Sequence, residues 1–216
     1  MNNKFSAACF DLDGTLIDTE TIHNSAEDEC LKILGIDPKS PMRPRTFGMG
    51  IEPGMQLLAD IFTLKSSTVL STYTALWEKG LQSDLRLLPG AGKVLSWLSS
   101  HNIPLALVTS SDSDYVNLVD SVLDLKQMFD VLVTCDDVKR LKPDPTAYLE
   151  ATRQLGVNPA FCVGFEDSGV GVTALNRAKV FSVAVHPDHK LRPELQTARL
   201  RVESLRGIQQ NLSSWF

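Results

Sequence analysis

The chain has 216 residues, 43% of them hydrophobic and 22% charged, with a formal net charge of −5 at pH 7. That suits a globular protein able to bury one sizeable core, with or without an insertion. Charges of both signs are interspersed and no apolar run approaches membrane-spanning length, so neither nucleic acid nor membrane is an expected partner.

Ala7-Ala8-Cys9-Phe10 predicts a short strand buried on both faces. The opening residues 1–4 lead into it without a signal-peptide pattern, which predicts a cytoplasmic chain. Asp11 and Asp13 follow at i and i+2, on the same side if the extended backbone continues. Gly14 then permits a turn, and Thr15 adds a hydroxyl. Two close carboxylates raise each other's pKa unless a cation joins them. The pair therefore asks for a divalent metal, a shared proton or a nucleophilic carboxylate, or else it caps a turn.

Residues 19–35 place Ile22, Ala26, Cys30, Ile33 and Leu34 at helical spacing, with Gly35 as the stop. A Pro-rich connection over 37–44 precedes a helix with Pro53 in its first turn and Met55, Leu58, Ile61 and Phe62 on one side. Ser66 or Ser67 caps another, with Val69, Leu70, Tyr73, Leu76 and Trp77 inward and Gly80 as its end. Beyond Pro89 the pattern alternates. Helices are predicted over 90–100, 115–125, 145–155 and 168–178, and strands over 103–109, 131–135, 161–165 and 180–185. After Leu191 the period fades, with a last helix over 204–212. This is an α/β chain: a parallel core sheet built from 1–15 and 89–216, with an all-helical domain, 16–88, inserted after the first strand. Cys9, Cys30, Cys135 and Cys162 lie far apart without CxxC spacing and read as reduced thiols.

Ligands of open parallel sheets bind at the carboxyl ends of the strands. Those ends carry Asp11 and Asp13, then Thr109 and Ser110, then Glu166 and Asp167, with Lys142-Pro143-Asp144-Pro145 just before a helix. Each has a structural alternative: Asp144 as a turn residue, Lys142 as a solvated charge, Glu166 and Asp167 as helix-start acids. Together, carboxylates, a hydroxyl and a lysine at one sheet edge suit phosphoryl transfer. Asp11 would attack phosphorus, Thr109 and Lys142 would hold phosphoryl oxygens, and Asp167 would complete an oxygen-ligand site that favours Mg²⁺.

The sequence resembles the haloacid dehalogenase superfamily, in the branch with a helical cap after the first strand. Four motifs carry the resemblance: Phe10-Asp11-Leu12-Asp13-Gly14-Thr15, Val108-Thr109-Ser110, Lys142-Pro143-Asp144-Pro145, and Gly164-Phe165-Glu166-Asp167-Ser168 with Gly169, Gly171 and Ala174. The resemblance implies a Rossmann-like core. It further implies that Asp11 is the nucleophile forming an aspartyl-phosphate, and that Asp13 is the general acid and then base, its carbonyl also on Mg²⁺. Asp11 and Asp167 would be metal ligands, with Glu166 in or beside that set. Thr109, Ser110 and Lys142 would bind the phosphoryl group. A cap would open and close about linkers near 16–19 and 87–90. Asp13 argues against a dehalogenase.

Within the branch, the closest-looking patterns are sugar-phosphate phosphatases and β-phosphoglucomutase. Residues 18–23 resemble the mutase hinge, whose histidine helps gate the acid/base; His23 stands there. Where the mutase has a cap arginine after the glycine region containing Gly48, Met49 and Gly50, this chain has Ile51; where it has a lysine after the second motif, this chain has Asp112. Arg43 or Arg45 could compensate. A mutase must grip a second phosphate, so these changes favour a phosphatase acting on a small phosphorylated metabolite, a sugar or sugar-acid phosphate. A mutase is the alternative, and a catalytically idle binding protein of the same fold is the third reading. Met49, Gly50, Ile51 and Trp77 are candidate specificity residues, and a monomer or small homo-oligomer is expected.

Overall fold

A computed structural model describes residues 5–46 and 49–216; the opening residues 1–4 and Gly48 lie outside the described residues. The chain divides into two compact units, residues 19–85 and residues 1–18 with 86–216. No helix among the described residues is long and apolar enough to cross a membrane.

The first unit is three helices: α1 (Thr19–Ile33), α2 (Ile51–Phe62) and α3 (Ser66–Asp84). Its core joins Ala26, Cys30 and Leu31 to Met55, Leu58, Ala59, Val69 and Tyr73, the faces that the helical spacing turns inward. Trp77 packs at the margin of this cluster, stacked 6.3 Å from Tyr73. Gly80 does not end α3, contrary to the expectation from sequence. A Cβ there would come within 2.6 Å of Ile22 Cγ2, so the glycine admits close approach to α1 and the helix runs on to Asp84.

A buried polar network ties the loop before α2 to α1 and α3. His23 Nδ1 lies 2.6 Å from the Tyr73 hydroxyl, and Nε2 lies 2.9 Å from Thr46 Oγ1. Thr46 donates to Glu27 Oε2, while Arg43 Nε donates to Glu27 Oε1 at 2.6 Å and Arg43 also pairs with Asp28. The tautomer with a proton on His23 Nε2 satisfies the series: Tyr73 donates to His23, His23 to Thr46, Thr46 to Glu27. Burial acts to raise the Glu27 carboxyl, but hydrogen bonds from His23, Thr46 and Arg43 outweigh it and hold the group below its ordinary value. With a depressed folded-state pKa, this stabilisation is complete above the ordinary value of 4.5 and lost as pH falls through the lower folded value. Glu27→Gln is therefore expected to cost about 2 kcal/mol at neutral pH. The gap to wild type should close in acid, as urea denaturation across pH would read out.

The second unit is a six-stranded, wholly parallel sheet: β1 (Ala7–Phe10), β2 (Leu105–Val108), β3 (Val131–Val133), β4 (Cys162–Glu166), β5 (Phe181–Val185) and β6 (Leu200–Val202). Its order is β3-β2-β1-β4-β5-β6, a Rossmann-like arrangement. Connecting and flanking helices are α4 (Ala91–Ser100), α5 (Ser113–Leu123), α6 (Thr146–Gln154), α7 (Gly169–Ala178) and α8 (Leu212–Trp215). Central β1 is fully buried, as its unbroken apolar run requires. Ala7 and Cys9 join Tyr148 and Leu175 in the core on one face, while Phe10 stacks on Phe165 at 4.5 Å. The four cysteines are free.

Strand β6 has no counterpart in the sequence reading, and the expected helix over 204–212 is instead a 3-10 turn, Leu205–Ile208, followed by short α8. Three edge residues, none of them buried, are too short a run to reveal a strand. Residues 16–18 and 86–88 belong to the sheet unit. There Leu88 donates to the Leu16 carbonyl at 2.8 Å, Asp18 to the Arg86 carbonyl at 3.0 Å, and the Arg86 and Asp18 side chains pair. These segments form a short antiparallel ribbon around the Ile17–Leu87 bridge.

Candidate active site

Strand sequence order reverses between β1 and β4, and that crevice is where doubly wound sheets bind ligands. Asp11 stands directly beyond β1, its N–H donating to the Phe165 carbonyl at 3.0 Å, so the neighbouring strand fixes its backbone. Glu166 ends β4, and Asp167 follows it.

Lys142 organises these carboxylates. Its ammonium donates to Asp11 Oδ1 at 2.6 Å, to Glu166 Oε1 at 2.7 Å and to the Val108 carbonyl at 2.9 Å. An ammonium has three donors, so all are used. The side chain is only 3% exposed and lies over the Tyr148 ring, 5.1 Å from its centroid. Tyr148 Oη also donates to Glu166 Oε1 at 2.7 Å, and Ser168 Oγ to Oε2 at 3.0 Å. Burial and the neighbouring carboxylate Glu166 push the Tyr148 phenol well up, keeping it a protonated donor.

Asp11, Glu166 and Asp167 each offer an oxygen, all within 4.8 Å of one another. Burial, with Glu166 beside it, pushes the Asp11 carboxyl up to about 7 although Lys142 pulls it back. Burial and then Asp11 raise Asp167 well above its ordinary value, Lys142 and Arg192 opposing. Burial works to lower Lys142, but Asp11 and Glu166 outweigh it and hold the ammonium above its ordinary value. Three close carboxylates thus outnumber the one ammonium among them, a charge excess that a hard divalent cation with oxygen ligands fits. The glycines of the motifs make room: a Cβ on Gly171 would lie 1.8 Å from the Glu166 carboxyl carbon, and one on Gly14 (φ 77°) would lie 2.4 Å from Asp167 Oδ2.

Asp13, partly exposed, accepts from Tyr115 Oη at 2.6 Å on Oδ1 and from Ser111 Oγ at 3.3 Å on Oδ2. Thr109 is buried at the end of β2, its hydroxyl accepting from the Ser111 N–H at 3.0 Å, and Ser110 is exposed beside it. Asp112, read in sequence as a charge facing phosphate, caps α5 by accepting from the Tyr115 N–H at 2.8 Å. His23 belongs to the helical unit, with Tyr73 and Thr46 on its two ring nitrogens. Met49 and Ile51 are exposed, 43% and 38% respectively.

Sequence reasoning missed Tyr115, Ser111, Tyr148 and Ser168 as partners of the site carboxylates. Tyr148 falls inside the helix expected over 145–155 and Ser168 inside the fourth motif, and neither position by itself marks a partner of Glu166. Ser111 stands in the hydroxyl-rich run after β2, which was the available signal. Nothing in the spacing marks Tyr115.

This sheet order, with carboxylates and a lysine gathered at its reversal point, is the arrangement of a known class of hydrolases. A family model described as haloacid dehalogenase-like hydrolase matches residues 8–185, and the chain belongs to that family. The validoxylamine A 7'-phosphate phosphatase of Streptomyces hygroscopicus subsp. limoneus is 32% identical, over 86% of this chain and 87% of that protein. The phosphorylated carbohydrates phosphatase of Thermotoga maritima is 33% identical, over 81% and 82%. Among solved structures, a β-phosphoglucomutase from Clostridium difficile superposes with a TM-score of 0.72 over 98% of this chain and 97% of its own, at 24% identity, a likeness of fold.

A cation stabilises what binds it. If Asp11, Glu166 and Asp167 hold a divalent cation, Mg²⁺ at about a hundred times its dissociation constant should stabilise the wild type by about 2.7 kcal/mol. Asp167→Asn should abolish that response, and without metal it should be at least as stable as wild type because a like charge is gone. Calorimetry with Mg²⁺ and with a chelator would read both.

Proposed function

We propose that this enzyme is a Mg²⁺-dependent phosphatase of small phosphorylated metabolites, sugar or sugar-acid phosphates, acting through an aspartyl-phosphate on Asp11. The observation that carries the proposal is the buried Lys142–Asp11–Glu166 cluster at the sheet's reversal point, with Asp13 beside it. The relatives named for phosphorylated carbohydrates support the substrate class.

Asp11, Glu166 and Asp167 would hold Mg²⁺, Asp13 adding its backbone carbonyl. When bound, the ion offsets repulsion between carboxylates and phosphate and polarises the phosphoryl group. A carboxylate oxygen of Asp11 attacks phosphorus as the bond to the leaving oxygen breaks, and Asp13 gives that oxygen its proton, releasing the alcohol. A water then attacks the same phosphorus, Asp13 takes its proton, and the bond to Asp11 breaks, regenerating the carboxylate and releasing orthophosphate. Lys142 holds Asp11 in line; Thr109 and Ser110 stand by as donors to phosphoryl oxygens.

Water as acceptor is favoured over a second sugar phosphate. Arg43, a candidate grip for another phosphate, is already engaged by Glu27 and Asp28, and Asp112 is a helix cap. Orthophosphate release from a panel of hexose, hexitol and sugar-acid phosphates should require Mg²⁺ and fall by about 10⁴-fold in Asp11→Asn. Activity surviving chelation or that substitution would sink the mechanism. Isomerisation of a hexose 1-phosphate without phosphate loss, followed by NMR with catalytic bisphosphate, would make the enzyme a mutase.

A further inference from the structure

We infer that Tyr115, assisted by Ser111, is a positioning residue that holds Asp13 ready for the water-consuming half of the reaction. The inference rests on the phosphatase reading and deepens it. One hydroxyl sits on each oxygen of the Asp13 carboxylate: Tyr115 Oη at 2.6 Å on Oδ1, and Ser111 Oγ at 3.3 Å on Oδ2. Asp13 is partly exposed, and an Asp side chain in such a place samples several rotamers unless something selects one. Two donors on opposite oxygens select one.

The donors are themselves braced, all within the sheet unit. Ser111 is held by its N–H to Thr109 Oγ1 at 3.0 Å, and its carbonyl accepts from the Cys135 N–H at 3.0 Å. Tyr115 is anchored by its N–H to the α5 cap, Asp112, at 2.8 Å, and Ser113 by its N–H to Asp136 Oδ2 at 2.9 Å. The main chain that carries both hydroxyls is therefore held at Ser111, Ser113 and Tyr115. Side chains that start from a fixed main chain have fewer ways to leave their partner.

The two half-reactions use this frame unequally. In the first, the substrate's own phosphate and the rest of its body set where the leaving oxygen meets Asp13. In the second, the attacking group is a water with no other part to anchor it, so the orientation of the base decides how often that water is in line. Loosening Asp13 should slow hydrolysis of the aspartyl-phosphate more than its formation.

p-Nitrophenyl phosphate separates the two steps in the full-length enzyme with Mg²⁺. Its phenolate departs on formation of the aspartyl-phosphate, seen as a burst, and hydrolysis then sets the steady rate. Tyr115→Phe should lower the steady rate about tenfold while leaving the burst rate constant within about twofold, and KM should fall together with kcat. Acid-quenched enzyme should then carry more bound phosphate than wild type. Ser111→Ala, the smaller change, should shift the same balance in the same direction and serves if Tyr115→Phe does not fold. Burst and steady rates falling in parallel, or neither moving in the two variants, would overturn the inference, since a purely structural role moves both phases alike. If wild type turns over without a burst, formation of the aspartyl-phosphate limits it, and a burst must then appear in Tyr115→Phe or the inference falls; absence of turnover in wild type, or wild-type behaviour in Asp11→Asn, would instead overturn the phosphatase reading itself.

Discussion

One ammonium group fixes the geometry of the sheet edge. Lys142 comes from the loop before α6, yet its three N–H bonds end on residues at the tips of β1, β2 and β4. Taking a lysine and its carboxylates out of water is costly, and an ion pair this deep is seldom a net gain in stability. What it supplies is placement. With Lys142 on Oδ1, Asp11 has a single orientation; with Tyr148 and Ser168 on Glu166, so has the second carboxylate. The carboxylates of Asp11, Glu166 and Asp167 are thereby gathered close enough for one cation to bridge, and the contacts that gather them also orient the Asp11 oxygens.

The sequence told most where local pattern and position coincide. An apolar run that stops at Asp11 and Asp13 is enough to put both at a strand end, and alternation of strands and helices is enough to imply a parallel sheet with a reactive carboxyl edge. What it could not tell depends on distance in the chain. Lys142 was visible as a lysine before a helix, but its reach to three strands is a product of topology. Tyr115 and Ser111 belong to a helix start and a turn, and only the fold lays them on Asp13. Gly80 misled because a glycine that lets two helices touch is spelled like one that ends a helix; only the nearness of Ile22 separates the two.

The helical unit changes how its own residues are read. His23 reads in sequence as a hinge histidine and Arg43 as a spare cation for a second phosphate; in the fold both belong to a buried chain from Tyr73 through Thr46 to Glu27 and Asp28. That chain holds Arg43 and Thr46 to α1 and α3. Buried polar networks of this kind rigidify what they join when every member finds a partner.

The ribbon formed by residues 16–18 and 86–88 bears on how such a protein can vary. It holds side by side the two points where the chain leaves and rejoins the sheet unit, so residues 19–85 begin and end at neighbouring places. Loop-closure entropy grows logarithmically, about 0.6 kcal/mol for each doubling of length. Segments of very different length could therefore be closed at this neck at similar entropic cost. Sheet and insertion are then free to diversify in length at separate rates, because the ribbon fixes where the insertion begins and ends.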